Sequence, residues 1–445
     1  MDNLTQKLIN IPKFGSGVGL HRMNILCKDV LASDWATKVD PINVVGTNGK
    51  GSTTVIISHI LRALELNVGQ YISPHLFEFS ERISINNKKI TQTDLAKIFD
   101  EVHLKKNKIT EELQEEVGAF EVFTSIALSY FLEKKPDTVI LEAGIGGRHD
   151  STRVFTGNFV AFTSVELEHT NVLGATEELI AFDKIDMANE GATVILGDVS
   201  AHILQKLQNY ATEKGIRICP IKEHTSIQNI SYDDDRMIVD ITVDDYEFKE
   251  LTSNLIGDHQ VSNILVAILL TKKWLEKNYP TIGKETFMTA VYQALPNIHW
   301  KGRLEKIHTN PTIQIDVGHT IAAVTSLVNT YTKLKKKPCI LITGVSYDKE
   351  VESIVRILTT VADAVVCTRA YHKGAEVDKI AKTVTGIYPN KDAVFKFETI
   401  EESIDFSKSY AKQHDMEILI AGGLFLSIEA YHYINGNIPS NLHFF

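Results

Sequence analysis

An α/β architecture of parallel sheets covered by helices follows from three features of the sequence. Short β-branched runs alternate with longer stretches of helical periodicity, two glycine-rich turns directly follow such runs, and 445 residues suffice for two or three domains. The strands expected are Asn43–Val45, Thr138–Glu142, Phe159–Val165, Thr193–Leu196, Thr312–Asp316, Cys339–Thr343, Ala364–Thr368, Ala393–Phe397 and Glu417–Ala421. Between them, apolar residues recur at i, i+3, i+4 in Val55–Leu64, Phe120–Leu132, Val261–Lys272, Val351–Thr360 and Ile400–Ala411, which predicts amphipathic helices. Residues 223–250 differ. Ile227–Ile230, Met237–Val243 and Tyr246–Phe248 alternate about the acidic turns Asp233–Asp235 and Asp244-Asp245, the pattern of a small antiparallel insertion. The long helical region after Gln260 stops at Pro296–Arg303, so a first domain over 1–298 and a second, doubly wound one over 299–445 are expected.

Hydrophobic residues make up 44 % and charged residues 23 %, the usage of a globular chain. With 46 Lys+Arg against 56 Asp+Glu the formal net charge is −10, which leaves no general basic field for nucleic acid or an anionic membrane. No basic-then-apolar leader and no apolar run of membrane-spanning length stands in the sequence, so a cytoplasmic chain without a membrane partner is expected. Cys27, Cys219, Cys339 and Cys367 form no C-x-x-C pair, against a zinc ribbon, a redox motif or a disulfide framework.

Chemistry concentrates in two turns. In Val44-Val45-Gly46-Thr47-Asn48-Gly49-Lys50-Gly51-Ser52-Thr53-Thr54 a strand enters a glycine-rich turn that opens a helix. Such a turn brings backbone N–H groups close to phosphate oxygens, the helix N-terminus adds its positive dipole end, and Lys50 adds a full charge. A hydroxyl at Ser52 or Thr53 is in position for a phosphate-bound Mg²⁺. The spacing is a variant of G-x-x-x-x-G-K-[ST], because Val44 stands at the first glycine and Gly51 follows the lysine. The second turn is Glu142-Ala143-Gly144-Ile145-Gly146-Gly147-Arg148-His149-Asp150. Glu142 closes a strand where ligands of parallel sheets bind, and His169 follows another strand end. Singly, Glu142 fits a turn cap, His169 a structural histidine and Lys184 a surface lysine. Jointly, they fit convergence on a nucleotide-bound cation.

In order along the chain stand G-L-H-R-M at 19–23, G-T-N-G-K-G-S at 46–52, S-P-H-L at 73–76, E-R-I at 81–83, F-E at 120–121 and L-E-A-G-I-G-G-R-x-D at 141–150. E-H-T-x-x-L-G at 168–174, Lys184, H-Q-x-x-N at 259–263, G-R at 302–303 and D-x-x-H at 316–319 follow. This series resembles the folylpolyglutamate synthase/dihydrofolate synthase branch of the Mur ligase family over nearly the whole chain. The resemblance implies a P-loop ATPase-type parallel-sheet domain followed by a Rossmann-like α/β domain. It further implies an ATP-dependent, ADP-forming ligase that activates a carboxylate as an acyl phosphate and couples it to an amino acid. L-glutamate and a dihydropteroate or reduced-folate acid are the implied substrates, in a monomeric enzyme with ATP and Mg²⁺ as cofactors.

Carried over by position, the resemblance assigns Gly49, Lys50, Gly51 and Ser52 to the ATP phosphates, and Asn263, Arg303 and Asp316 to the nucleotide. Ser73, Glu142 and His169 match metal ligands. Lys50, Lys184 and His319 match positions that carry the chemistry, Lys184 as a carbamate. Gly118, Ala119, Phe120, Glu121, His149, Asp150 and Ser151 match segments holding the pterin-containing acid.

Departures from the family pattern fall unevenly. Asp316-Val317-Gly318-His319-Thr320 replaces D-G-A-H-N, and Gly422-Gly423-Leu424-Phe425-Leu426 replaces G-S-L-Y-L, removing a serine associated with the amino acid. Asp150-Ser151-Thr152-Arg153 replaces D-A-T-N, while Asp183–Met187 replaces E-K-A-G-I. The phosphate and metal positions are kept and the amine side is altered, which leaves open a relative joining a different acid and amine. A nucleotide-binding protein with a decayed site is the third reading, opposed by the retained Lys50, Glu142, His169 and Lys184.

Overall fold

The computed structural model describes residues 3–233 and 236–442. Its strands are β1 Ile42–Val45, β2 Val68–Tyr71, β3 Ile83–Ile85, β4 Lys88–Lys89, β5 Thr138–Glu142, β6 Phe159–Phe162, β7 Thr193–Leu196, β8 Arg217–Pro220, β9 Thr225–Asp233, β10 Arg236–Val243, β11 Tyr246–Ser253, β12 Glu305–Thr309, β13 Thr312–Ile315, β14 Cys339–Thr343, β15 Ala364–Cys367, β16 Val394–Lys396 and β17 Glu417–Ala421. They form an eight-stranded sheet ordered β4-β3-β2-β5-β1-β6-β7-β8, a three-stranded sheet ordered β11-β10-β9 and a six-stranded sheet ordered β12-β13-β17-β14-β15-β16. In the largest sheet the pairs from β2 to β8 are parallel and β3 and β4 add an antiparallel edge. The six-stranded sheet is parallel except for β12–β13.

Parallel strands read as continuous apolar runs because helices cover both faces. All five residues of β5 are buried, and alternate ones serve opposite cores. Ile140 joins Val44 and the helix Lys50–Ala63, itself covered by the helices Asp258–Asn278 and Lys284–Ala294. Val139 and Leu141 join Tyr71 and the helix Ala119–Lys134 on the other side. The Cα register Gln70↔Ile140 and Val44↔Glu142 therefore puts Gln70 and Glu142 on the face of the helix Lys50–Ala63, and Tyr71 on the other.

The expected insertion is present as β9–β11, with Asp244-Asp245 joining β10 to β11; Asp234 and Asp235 of the other acidic turn lie outside the described residues. All four cysteines are buried and unpaired. The run Phe159–Val165 stops being a strand at Phe162, because Thr163 and Ser164 turn to bond the glycine-rich turn after β1. Among the described residues no helix is long and apolar enough to cross a membrane.

Candidate active site

The turn after β1 is held from the side by the segment after β6. Thr47 N–H donates to the Ser164 carbonyl at 2.9 Å, Asn48 N–H to Ser164 Oγ at 2.9 Å, and Asn48 Nδ2 to Glu166 Oε2 at 3.0 Å. Gly49 caps the helix at φ +84°, the left-handed region in which glycine carries no steric cost. The Asn263 amide lies against it, where a Cβ would collide. A Cβ on Gly51 would meet the Trp300 ring at 2.9 Å, so the turn, Asn263 and Trp300 close on one another only because these positions are glycine. Lys50 Nζ donates to the carbonyls of Gly46 at 2.8 Å and Thr47 at 3.1 Å, which folds its ammonium over the turn. Ser52 is buried at the start of the same helix.

Glu142 ends β5 directly beside this turn. It is buried, its Oε2 accepts the Ser73 backbone N–H at 3.1 Å, and burial pushes its carboxyl up to about 7 against the pull of Lys50, Arg303 and Arg82. Lys184, on the helix Glu177–Ile185, is almost fully buried, with Glu168 Oε1 at 3.7 Å as its acidic neighbour. Burial, and then repulsion from Lys50, lowers its amine to about 8. His169 is exposed at the N-terminal position of the short helix Thr170–Leu173, at φ +48°; partial desolvation lowers its pKa, with Glu168, Lys349, Lys50 and Lys184 in its field.

The six-stranded half of the molecule closes the site. Asp316 is buried at the end of β13, its Oδ1 accepting Gly318 N–H at 2.7 Å and Oδ2 accepting Leu304 N–H at 3.1 Å. Burial raises its carboxyl, with Arg303 opposing. The His319 ring lies 3.0 Å from the Val317 carbonyl, and burial lowers its pKa. Gly51, Ser73, Glu142, Arg303 and His319 line one cavity of about 320 Å³ between the two halves.

The second glycine-rich turn is built differently. Asp150 Oδ2 accepts the N–H groups of Gly144 at 2.8 Å and Ile145 at 3.1 Å, and Oδ1 accepts Thr152 N–H at 3.0 Å and Thr152 Oγ1 at 2.6 Å. Gly147 N–H goes to Asp183 Oδ1 at 2.8 Å. The Gly118–Glu121 segment is equally committed: Glu121 Oε2 accepts Gly118 N–H at 2.8 Å, Oε1 accepts Arg22 Nε at 2.9 Å, and Ala119 N–H donates to the Pro12 carbonyl at 2.8 Å. Phe120 is half-buried between Tyr71, at a ring-centroid distance of 5.8 Å, and Gly144. Ser151 is buried and His149 exposed, and none of these seven positions lines the cavity.

Three further residues stand at the site, Arg82 from the E-R-I segment and two, Gln70 and Trp300, that carry no motif signal in the sequence. Arg82 is buried, donates through Nε to His75 Nδ1 at 2.9 Å and lies 4.8 Å from the Phe123 ring centroid. Gln70 and Trp300 line the cavity, the former on a strand too rich in glycine and amide to read as one.

Residues 44–271 match the Mur ligase middle domain and residues 302–424 the Mur ligase glutamate ligase domain, so the chain belongs to the Mur ligase family. Within that family it falls in the folylpolyglutamate synthase branch. It is 30 % identical to the folylpolyglutamate synthase of Lacticaseibacillus casei over 328 residues, which cover 72 % of this chain and 74 % of that one. A probable bifunctional folylpolyglutamate synthase/dihydropteroate synthase of Halobacterium salinarum is 28 % identical over 88 % of this chain, which spans 46 % of that longer protein. The fold matches that of Mycobacterium tuberculosis folylpolyglutamate synthase complexed with ADP at a TM-score of 0.86 and 21 % identity, over 98 % of both chains.

Proposed function

We propose that this chain is an ATP-dependent, ADP-forming ligase that phosphorylates the carboxylate of a pterin-containing acid, dihydropteroate or a reduced folate, and joins it to the amine of L-glutamate. The observation that carries this reading is the meeting of Gly51, Ser73 and Glu142 from one half with Arg303 and His319 from the other around a single cavity, with Lys50 on the adjoining turn. Acyl phosphate chemistry asks a protein mainly to align three reactants and offset charge, and these residues do both. The Gly49–Ser52 turn and Lys50 would hold the phosphates, Asn263 and Arg303 would reach the nucleotide, and Asp316 would fix the backbone that carries His319. In this reading residues 1–298 and 299–445 act as two domains that close on the nucleotide.

Mg²⁺ fits the residues as a cation carried by the nucleotide. Among the described residues no group of three or more His, Cys, Asp and Glu could hold an ion. Ser73 and Glu142 offer the one hydroxyl and one carboxylate that a largely phosphate- and water-ligated Mg²⁺ takes from protein, and His169 would join from the facing loop. When bound, Mg²⁺ offsets the charge on the transferring phosphoryl group. Lys184 suits carbamylation: an amine near 8 in a buried site is partly neutral at physiological pH, the form that adds CO₂. Gly118–Glu121 and His149–Ser151 would border the pterin, with the Phe120 ring as the contacting surface. The enzyme would act as a cytoplasmic monomer.

The test is phosphate release from Mg-ATP with dihydropteroate or tetrahydrofolate, each with and without L-glutamate, with products weighed by mass spectrometry. Release that requires both partners and a product heavier by one glutamyl residue is expected. Release with neither acid, or with other acid–amine pairs only, would transfer the reading to a different ligation.

A further inference from the structure

The chain passes from the eight-stranded half to the six-stranded one through Ile298–Arg303, whose one tryptophan, Trp300, has no role in the nucleotide reading. Its ring packs against the core shared by the helix Lys50–Ala63. The ring edge at Cζ2 and Cε2 rests on Gly51, where a Cβ would lie 2.9 and 3.6 Å from those atoms. The indole is thus seated by the eight-stranded half, directly on the turn that the phosphates would fill.

Two residues on, the same segment is bound to the other half. The Gly302 carbonyl accepts the Val317 N–H at 3.0 Å, and the Val317 carbonyl lies 3.0 Å from His319 Nδ1. Gly302 stands at φ +70°, and a Cβ there would press on Val317 Cγ1 at 2.6 Å. Leu304 N–H ties the segment to the same strand end through Asp316 Oδ2 at 3.1 Å. Lys301 Nζ sits over the rings of Phe77 and Tyr431, one from each half. A continuous run of packed and hydrogen-bonded groups therefore leads from Gly51 through Trp300, Gly302 and Val317 to His319. Close-packed groups move as bodies and do not compress, so a shift of the indole at Gly51 is passed to the His319 ring.

We propose that Trp300 is a positioning residue: phosphates filling the Gly49–Ser52 turn lie against its ring edge and so set the seat of Arg303 and His319. The assignment rests on the ligase reading above and names the side chain through which nucleotide held by one half reaches the other.

The experiment compares the full chain with Trp300→Phe and Trp300→Ala, using the β,γ-methylene analogue of ATP with Mg²⁺. Calorimetry gives nucleotide affinity, hydrogen exchange read by mass spectrometry gives backbone protection at residues 316–320, and steady-state assays give kcat. In the wild-type chain the analogue should slow exchange at 316–320. Trp300→Ala should keep its nucleotide Kd within about threefold, lose that protection and lose about tenfold in kcat. Trp300→Phe keeps a flat ring on Gly51 and should recover most of both. Trp35 and Trp274 are buried, with their indole N–H groups on the carbonyls of Pro136 and Asp40 at the opposite ends of β5 and β1. A change in tryptophan emission on adding the analogue therefore reports Trp300 and should vanish in Trp300→Phe. Should Trp300→Ala fail to fold, Trp300→Leu, which keeps apolar volume without the flat ring, carries the same expectations. Protection that persists in the Ala or Leu variant, as a merely structural ring would leave it, overturns the proposal. So does an unchanged kcat, or a wild-type chain that binds the analogue with neither protection nor emission change. A wild-type chain that binds no nucleotide overturns the ligase reading instead.

Discussion

The glycine-rich turns at the carboxyl ends of the neighbouring strands β1 and β5 are alike in sequence and opposite in hydrogen bonding. In the first, the flanking Ser164 and Glu166 fix the turn from outside, and Lys50 and Ser52 stand at a helix N-terminus on either side of Gly51, which lines the cavity. In the second, Asp150 and Asp183 consume the turn's own N–H groups from within. Glycine richness signals tight backbone in both cases. Thr47 and Asn48 are spent on the flank in the first turn, so what separates a cradle from a scaffold is whether the N–H groups at the helix start, from Gly49 onward, stay open.

Substitutions break this comparison in a definite order. Lys50→Ala removes a charge from a polar turn and no core volume, so phosphate release should fall by about 10³-fold with the melting temperature within about 2 °C of wild type. Assaying both on one preparation checks it; full activity would refute the phosphate assignment. Glu142→Gln should lower turnover by about 10²-fold and stabilise the fold. A buried carboxyl raised to about 7 holds its proton in the folded state at pH values where the unfolded chain has released it. Its contribution to stability is therefore lost as pH rises from the ordinary carboxylate range through 7, and the Gln variant escapes that loss. The variant should gain up to about 3 kcal/mol at pH 8 and almost nothing at pH 4, from denaturant unfolding at the two pH values.

Lys184→Ala should lose most turnover, with partial recovery on adding short-chain carboxylates if the lysine works as a carbamate; recovery absent at every carboxylate concentration would argue for the amine itself. Asp150→Asn, in the scaffold turn, should show the reverse pattern from Lys50→Ala: a loss of about 2–4 kcal/mol in stability with turnover at low temperature within tenfold. The smallest effect is expected where the halves meet. Phe77 and Tyr431 have ring centroids 4.5 Å apart, and Lys301 Nζ lies 4.7 and 5.5 Å from them. Phe77 belongs to the segment that follows Ser73, so Tyr431→Ala should raise the KM for ATP by about two- to fivefold, in line with about 0.5–1 kcal/mol for such contacts.

Both turns, the alternating elements and the β9–β11 insertion were legible because each rests on local pattern: apolar runs, glycine with lysine, period-two alternation. The strand β2 was not, since Val68-Gly69-Gln70-Tyr71 has neither a β-branched run nor strict alternation. Gly69 is accepted there because a Cβ would press on Val139 and Phe131, a constraint set by neighbours distant in sequence. Gln70 escaped for the same reason, its place in the cavity wall being set by the fold around it. The order of motifs proposes one site for Glu142 and Lys184, but their altered protonation comes from burial, which spacing does not encode. Likewise the self-satisfied state of Asp150 depends on the path of the turn that contains it.

Carboxylate activation by phosphorylation is the claim on which the rest depends, and oxygen transfer tests it most directly. The acid, labelled with ¹⁸O in its reacting carboxylate, is turned over with Mg-ATP and L-glutamate, and the released phosphate is analysed by mass spectrometry. One ¹⁸O per phosphate is the predicted result, because the acyl phosphate leaves with an oxygen from the acid. Unlabelled phosphate accompanying amide product would contradict the account and remove the reason for the Lys50 turn to stand beside Glu142.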